Sequence, residues 1–198
     1  MDMNPLRFLR KLLIGPERYK WDKEYAAGRW DYLHGPAQAD RYQALVDFVD
    51  LYLHGTRTLL EIGCGEGILQ ERIPPGAYTL FLGIDISHVA IRRASRHKDP
   101  ITDYHAADME TYEPPGKFAM IIFNEVLYYS PDHLSLVSRF LPYLETNGHL
   151  LVSLNETPKS LDIIRDLEKI VSLVDQKRTV HERGAWHCKV YSPKPPGT

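Results

Sequence analysis

The segment that decides the fold reads Leu59-Leu60-Glu61-Ile62-Gly63-Cys64-Gly65-Glu66-Gly67. An apolar run ends here in three alternating glycines, a residue type that adopts positive φ and lets a ligand approach the backbone closely. A helix-compatible stretch follows at 68–73, so the pattern predicts a strand, a tight loop and a helix. In doubly wound sheets such a loop lies at the carboxyl edge of the strands, where these folds bind ligands.

Short apolar runs recur along the chain, at 58–62, 79–84, 101–106, 118–123 and 149–154. Helix-compatible stretches at 68–73, 87–97 and 131–143 separate most of them, and further helices are expected at 36–53 and after Pro158. Strands that alternate with helices indicate a mostly parallel sheet covered on both faces.

Two final runs, at 174–182 and 185–191, are typical of an antiparallel hairpin at a sheet edge. The prolines at 193, 195 and 196 are expected to form a tail outside the sheet. The sequence therefore predicts an α/β protein with a doubly wound, mostly parallel seven-stranded sheet and an antiparallel C-terminal hairpin.

The first 35 residues differ in character from the rest. Residues 6–14 form a basic amphipathic pattern, which fits either a helix docked on the domain or an arm on a membrane surface. Residues 17–32 are rich in aromatic side chains. No repeat or linker divides the remainder, so we predict a cap segment at 1–35 and a single domain at 36–198.

Composition excludes several classes of protein. The 198 residues carry a formal net charge of −2, with 43% hydrophobic and 25% charged residues, which indicates one globular domain rather than a nucleic-acid-binding surface. No apolar run approaches the ~18 residues of a membrane span. Two cysteines, Cys64 and Cys188, are too few for a disulfide framework, and no secretory leader is evident. The spacing of histidines and cysteines does not match a metal site. We therefore expect a cytoplasmic protein without a metal.

Two carboxylates narrow the choice of cofactor. Asp85 ends the second predicted strand, about 20 residues beyond the loop. In nucleotide-binding folds of this kind, an acid at that position forms hydrogen bonds with ribose hydroxyls. A dinucleotide loop of the G-x-G-x-x-G type would need glycine at the position that Ile68 occupies. Glu61 would repel a pyrophosphate and attract an amine-bearing ligand. A nicotinamide-dependent oxidoreductase is thus disfavoured, although it stays an alternative.

These features together resemble the class I S-adenosylmethionine-dependent methyltransferases, over roughly Trp21 to Leu154. The resemblance implies a Rossmann-like fold, S-adenosylmethionine as cofactor and S-adenosylhomocysteine as product. It also implies that the glycine loop surrounds the methionine part, that the acid after the second strand holds the ribose, and that residues after the second and third strands contact the adenine. The cofactor-binding residues implied in this way are Glu61, Gly63, Cys64, Gly65, Gly67, Asp85, Ile86, Asp108, Met109 and Asn124.

Two smaller resemblances concern the acceptor side. The phrase Glu125-Val126-Leu127-Tyr128-Tyr129 and the C-terminal hairpin look similar to the nodulation N-methyltransferase (NodS-like) group of small-molecule enzymes. The early Trp21-x-x-x-Tyr25-x-x-Gly28 resembles the aromatic lead-in of thiopurine-type methyltransferases, where such residues lie over the cofactor. A helix would place Trp21 and Tyr25 on one face, so both are predicted to contact the cofactor.

Methyl transfer is an in-line displacement, so the protein mainly has to align the acceptor. Glu125 is predicted to receive a proton or to hold an amine or hydroxyl, although an acid at a helix N-terminus would have a structural explanation. Tyr128 and Tyr129 are predicted to contact the acceptor. The segment 124–129 departs from the D/N-P-P-Y pattern, which disfavours DNA bases and protein amides as acceptors.

The resulting prediction is a small-molecule methyltransferase, with N-methylation of an amino sugar or related amine as the first choice. O-methylation of a sugar or natural-product hydroxyl and a non-catalytic cofactor-binding partner protein are the alternatives. The exposed hairpin edge would allow a homodimer or a covering tail, so the oligomeric state stays open.

Overall fold

The computed structural model describes residues 15–194, which build one seven-stranded sheet. Its spatial strand order is β3-β2-β1-β4-β5-β7-β6. Neighbouring strands among β1 to β5 pair in parallel, and β7 runs antiparallel to both β5 and β6. The strands are β1 (Thr58–Ile62), β2 (Leu80–Asp85), β3 (Thr102–Ala106), β4 (Phe118–Asn124), β5 (Leu144–Asn155), β6 (Val171–His181) and β7 (Gly184–Pro193).

Six α-helices accompany the sheet in the part of the chain that the structure describes. One core cluster joins α2, α3 and α4 to one face of the sheet, and a second joins α5 and α6 to the opposite face. Not one helix within residues 15–194 combines the length and the apolarity that crossing a membrane requires. The helices are α1 (Pro16–Ala26), α2 (Ala39–Tyr52), α3 (Ile68–Arg72), α4 (His88–Ala94), α5 (His133–Phe140) and α6 (Pro158–Ile170).

Strand β4 explains why the sheet is doubly covered. Every residue of this strand is buried, and it lies between β1 and β5 with core side chains on both of its faces. Near-continuous apolar runs of this kind are typical of parallel strands buried on both sides. The predicted doubly wound, mostly parallel sheet with a C-terminal hairpin at its edge is confirmed.

Several boundaries differ from the prediction. Pro193 is the last residue of β7 and pairs with Val171, so its assignment to a tail outside the sheet was wrong. A proline is tolerated at a strand end, because its fixed φ fits an extended chain and only one donor is lost. The helix expected at 36–53 begins with a 3-10 turn, Pro36–Gln38, before α2 starts at Ala39. The amphipathic pattern at residues 6–14 lies outside the described residues.

Candidate functional site

A cavity of about 1110 Å³ opens at the carboxyl edge of the sheet. Its wall is formed by the loops after β1 to β5, by the segment 17–42 and by the β6–β7 turn. Pockets for one small ligand usually measure about 300–1,000 Å³, so this cavity is large enough for a cofactor and an acceptor together. All but two of the predicted site residues line it: Trp21, Tyr25, Gly63, Cys64, Gly65, Asp85, Ile86, Asp108, Met109, Asn124, Glu125, Tyr128 and Tyr129.

Two of the three glycines in the loop line the cavity, and both occupy positions that only glycine fits. Gly63 and Gly65 have φ values of +74° and +55°, a region that side-chain-bearing residues seldom adopt. A Cβ atom at Gly63 would lie 2.9 Å from Cβ of Val126, and one at Gly65 would lie 2.9 Å from the hydroxyl oxygen of Tyr25. The absence of side chains at these two positions therefore lets Val126 and Tyr25 pack closely against the loop, while Gly67, which precedes α3, does not line the cavity.

Glu61, the second predicted residue outside the cavity wall, is fully buried beneath the loop. Its Oε1 accepts a hydrogen bond of 2.8 Å from Nδ2 of Asn124, whereas its Oε2 has no partner among the described residues. Burial raises the pKa of Glu61 to about 7, against the opposing effects of the Asn124 hydrogen bond and the nearby Arg41 charge. Because Asn124 lines the cavity, this hydrogen bond connects the buried Glu61 to the cavity wall.

Arg41 is a site residue that the sequence reading missed. It lies on α2, is only 1% exposed and lines the cavity. Its Nε donates to Oε1 of Gln38 at 2.8 Å, and its Nη1 donates to Oδ1 of Asn124 at 2.5 Å. A buried charge is costly without such partners. The available signal was its helical spacing from Leu45 and Phe48, which marks position 41 as inward-facing.

Asp85 ties the first two loops of the sheet edge together. Its Oδ2 accepts from the backbone N–H of Gly65 at 3.1 Å, and its Oδ1 accepts from the N–H of Ser87 at 2.8 Å. Burial raises the pKa of Asp85 to about 6, and these two backbone donors oppose that increase. Ile86, Asp108 and the neighbouring Met109 continue the cavity wall beyond it.

Helix α1 lies across the carboxyl edge and is fixed there by polar contacts. Oδ1 of the buried Asp22 accepts from Oγ of Ser87 at 2.8 Å and from the N–H of Val89 at 3.2 Å. Nε of Arg18 donates to the backbone oxygen of Ile86 at 3.0 Å. Asp22 was not identified from the sequence, because an isolated acid on a polar helix carries no distinctive pattern.

The side of the cavity next to the segment 125–129 carries an aromatic wall, which consists of Trp21, Trp30, Tyr32, Tyr128 and Tyr129. The ring of Trp21 lies 5.7 Å from that of Trp30 and meets the edge of Tyr129 at 4.7 Å. Tyr128 and Tyr129 are also in edge contact, with centroids 4.6 Å apart. Burial raises the pKa values of both tyrosines, so both keep their phenolic protons at neutral pH.

Glu125 follows β4 in a left-handed conformation with φ of +57°, which is rare for a residue that carries a side chain. Its Oε1 accepts from Oγ of Ser153 at 2.8 Å, and its Oε2 accepts from the N–H of Asn155 at 3.0 Å and from the Tyr128 hydroxyl at 3.3 Å. The next α-helix begins only at His133. A 3-10 helix, Leu127–Tyr129, begins two residues after Glu125, so this acid stands just ahead of a single helical turn rather than at the start of an α-helix.

Two observations concern nucleophilic catalysis by a thiol and metal binding at the site. Burial raises the pKa of the Cys64 thiol well above its ordinary value, so this sulfur remains protonated rather than becoming a nucleophile. Within residues 15–194, histidine, cysteine and carboxylate side chains do not gather into a group of three that could hold a metal ion.

Comparison with known proteins agrees with this geometry. A family model described as a methyltransferase domain matches residues 35–194. The chain is 34% identical to trans-aconitate 2-methyltransferase of Rhodopseudomonas palustris over 54% of its length, and 32% identical to the ubiquinone biosynthesis O-methyltransferase of Thiobacillus denitrificans over 52%. The matches span 40% and 47% of those relatives, less than half of each.

The same fold occurs in the N-methyltransferase NodS from Bradyrhizobium japonicum, solved with S-adenosylhomocysteine. That structure superposes with a TM-score of 0.72 and 19% identity, over 84% of this chain and 92% of NodS. The family of this chain follows from three observations: the order of its strands, its glycine loop and the family match over residues 35–194. The chain therefore belongs to the methyltransferase domain family, and its predicted resemblance to the class I S-adenosylmethionine-dependent methyltransferases is confirmed.

Proposed function

We propose that this chain transfers a methyl group from S-adenosylmethionine to a small-molecule amine. The observation that carries the proposal is a single cavity that joins the glycine loop and Asp85 to Glu125 and the aromatic wall. Cofactor and acceptor would bind at opposite ends of this cavity. The segment 1–35 would act as a cap over it, and residues 36–198 would form the catalytic domain.

The residues at the cofactor end fit the groups of S-adenosylmethionine. The carboxylate of Asp85 can accept hydrogen bonds from ribose hydroxyls, and Asp108 can accept from an adenine amino group. Ile86 and Met109 offer apolar contact to the base. The part of the glycine loop that lines the cavity and the buried Arg41–Asn124 pair suit the charged methionine end. When bound, the cofactor supplies a methyl carbon activated by a positively charged sulfur.

The residues at the acceptor end favour an amine. Aromatic faces attract cations, and the aromatic wall surrounds a carboxylate, Glu125, that three donors hold in place. Oε1 of Glu125 has one donor, so it retains a lone pair for an N–H group of the acceptor. Glu125 would orient the amine and receive its proton, while Tyr128 holds the carboxylate in position. Alignment of this kind is the main requirement of an in-line displacement.

O-methylation is the second candidate. The name of the Thiobacillus denitrificans relative places its chemistry on oxygen, and the free lone pair of Glu125 would accept a hydroxyl proton equally well. NodS is named as an N-methyltransferase, which supports the amine instead. An amino sugar would be one acceptor of this class. The third alternative, a cofactor-binding protein without catalysis, would keep the glycine loop and Asp85 but show no turnover.

The cofactor half is tested by calorimetric titration with S-adenosylhomocysteine. We expect one saturable site, weakened about 5- to 150-fold by Asp85→Asn, which corresponds to the ~1–3 kcal/mol of a lost charged hydrogen bond. Asp162→Asn, an exposed change on α6, is the matched control and should leave affinity unchanged. Absence of binding by folded protein, or tighter binding of NAD, would contradict the proposal.

The catalytic half is tested with a panel of amines and alcohols, by measuring formation of S-adenosylhomocysteine and the mass of each product. Methylation confined to amines supports the first candidate, and methylation confined to hydroxyls supports the second. Binding of S-adenosylhomocysteine without turnover on any member would favour the non-catalytic alternative.

A further inference from the structure

Charged side chains are distributed unevenly along the cavity wall. The end formed by the loops after β2 and β3 carries the carboxylates Asp85, Asp108 and Glu110. The opposite end, beyond Glu125, is lined by Lys159 of α6 and by Arg183 of the β6–β7 turn. The acceptor end therefore combines one carboxylate with two cations farther along the wall.

Lys159 is held beside the acceptor segment. Its Nζ donates to the backbone oxygen of Tyr128 at 2.6 Å, which uses one of the three N–H groups of the ammonium. Within residues 15–194 no carboxylate lies within ion-pair distance of this nitrogen. Lys159 thus presents an uncompensated positive charge to the cavity, next to Tyr128 of the aromatic wall.

Arg183 is brought to the same rim by the end of β5. The N–H of Glu156 donates to the backbone oxygen of Ala185 at 2.7 Å, and Nδ2 of Asn155 donates to that oxygen at 3.3 Å. These bonds fix the β6–β7 turn against the strand that leads into α6.

The neighbouring Arg178 provides a contrast. Its guanidinium is neutralised by Glu156, with two hydrogen bonds of 2.5 and 2.8 Å. No ion pair of this kind is formed by Arg183 in the described part of the chain. The hairpin therefore has one arginine on β6, outside the cavity lining, that is paired with a carboxylate. A second arginine, in the turn, belongs to the lining and has its guanidinium available.

We infer that the acceptor carries an anionic group, a carboxylate or a phosphate, which binds between Lys159 and Arg183. Arginine and lysine side chains form strong charge-assisted hydrogen bonds with both kinds of anion. Trp186, which is 6% exposed and lines the same end, supplies apolar contact beside them. This inference rests on the proposed function and deepens it, because it describes an acceptor with an amine near Glu125 and an anion at the far end.

The test is a titration of ¹⁵N-labelled protein, with and without saturating S-adenosylhomocysteine, at constant ionic strength. Inorganic phosphate and succinate are the two probes, and the tighter one identifies the anion. We expect saturable shifts of the backbone N–H signals of residues 157, 159, 160 and 183–186. The double variant Lys159→Gln/Arg183→Gln should weaken binding at least tenfold. Arg165→Gln removes one charge from a highly exposed position on α6 and should leave the affinity unchanged.

Three results would overturn the inference: no saturable shift with either probe, shifts confined to other residues, or equal affinity in all variants. Arg183→Gln alone changes only an exposed turn residue, so it provides a folded variant in which a partial loss is expected even if the double variant is unstable. The two proposals remain distinguishable. Anion binding without S-adenosylhomocysteine binding would contradict the proposed function alone, and the reverse would contradict the anion site alone.

Discussion

Replacement of Glu61 by glutamine should change how stability depends on pH. Burial raises the pKa of this carboxyl from its ordinary 4.5 to about 7. Between these two pH values the folded state keeps a proton that the unfolded state has lost. The contribution of Glu61 to stability is therefore greatest below about pH 4.5 and declines as pH rises to about 7.

The magnitude follows from the size of this interval. At about 1.4 kcal/mol per pH unit, the difference between 4.5 and about 7 corresponds to about 3 kcal/mol of unfolding free energy. Glutamine is neutral throughout, and its carbonyl oxygen can still accept from Nδ2 of Asn124. The variant should therefore gain stability relative to the wild type as pH rises. Asp85, whose pKa is raised in the same direction, is present in both proteins and cancels in the comparison.

Urea unfolding at pH 5, 6, 7 and 8 measures this effect directly. A poorly accommodated glutamine would lower stability by the same amount at every pH, so the difference in slope, rather than an offset, is the informative quantity. Glu71→Gln, an exposed change on α3, is the matched control and should follow the wild-type curve. Parallel curves for the wild type and Glu61→Gln would refute the reasoning.

Three further predictions concern the loop, the cap and the hairpin. Gly63→Ala should lower the unfolding free energy by about 1–3 kcal/mol, because φ is +74° and the new Cβ would lie 2.9 Å from Cβ of Val126. In a double-mutant cycle measured by urea unfolding, Val126→Ala should restore part of this loss. Asp22→Ala removes the hydrogen-bond acceptor of Ser87 and Val89, so it should lower the unfolding free energy by about 1 kcal/mol and speed S-adenosylhomocysteine dissociation in stopped-flow fluorescence. Asp50→Ala, on the exposed side of α2, is the control and should change neither quantity. Arg178→Gln should raise the pKa of Glu156 from about 2 towards its ordinary value, because the hydrogen bond from Arg178 is the main cause of the low pKa. An unchanged titration of this carboxyl group, measured by ¹³C NMR, would contradict the prediction.

The fold was predictable because its signals are local. Each strand is a short apolar run, and the glycines at 63, 65 and 67 mark the loop at the edge of the first one. The extent of β5 was harder to predict, since the strand begins at Leu144 and passes through three polar residues at 145–147 and a glycine before its apolar part. Pairing with β4 across a register shift maintains this extension, and an apolar pattern does not report such pairing.

The site was only partly predictable, for a physical reason. The carboxylates at strand ends, Glu61 and Asp85, stand at positions that the strand pattern itself defines. Arg41 and Asp22 reach the site from helices, and their roles depend on side chains more than 60 residues away in the chain, such as Asn124 and Ser87. One sequence contains no record of contacts between such distant residues, so only the structure could place them.

The two ends of the cavity are joined by a buried chain of polar groups. Glu61 accepts from Asn124, Asn124 accepts from Arg41, and Nη1 of Arg41 lies 3.5 Å from Oγ of Ser153, which in turn donates to Glu125. Buried polar networks are stabilising only when their members are paired, so a change at one end leaves a costly unpaired group that its neighbours must accommodate. Glu125 is therefore linked through Ser153 and Arg41 to Asn124, and through Asn124 to the carboxyl group of Glu61 beneath the glycine loop. The strained backbone of Glu125 fits this arrangement, since its φ of +57° is maintained by carboxylate bonds to β5 and to Tyr128.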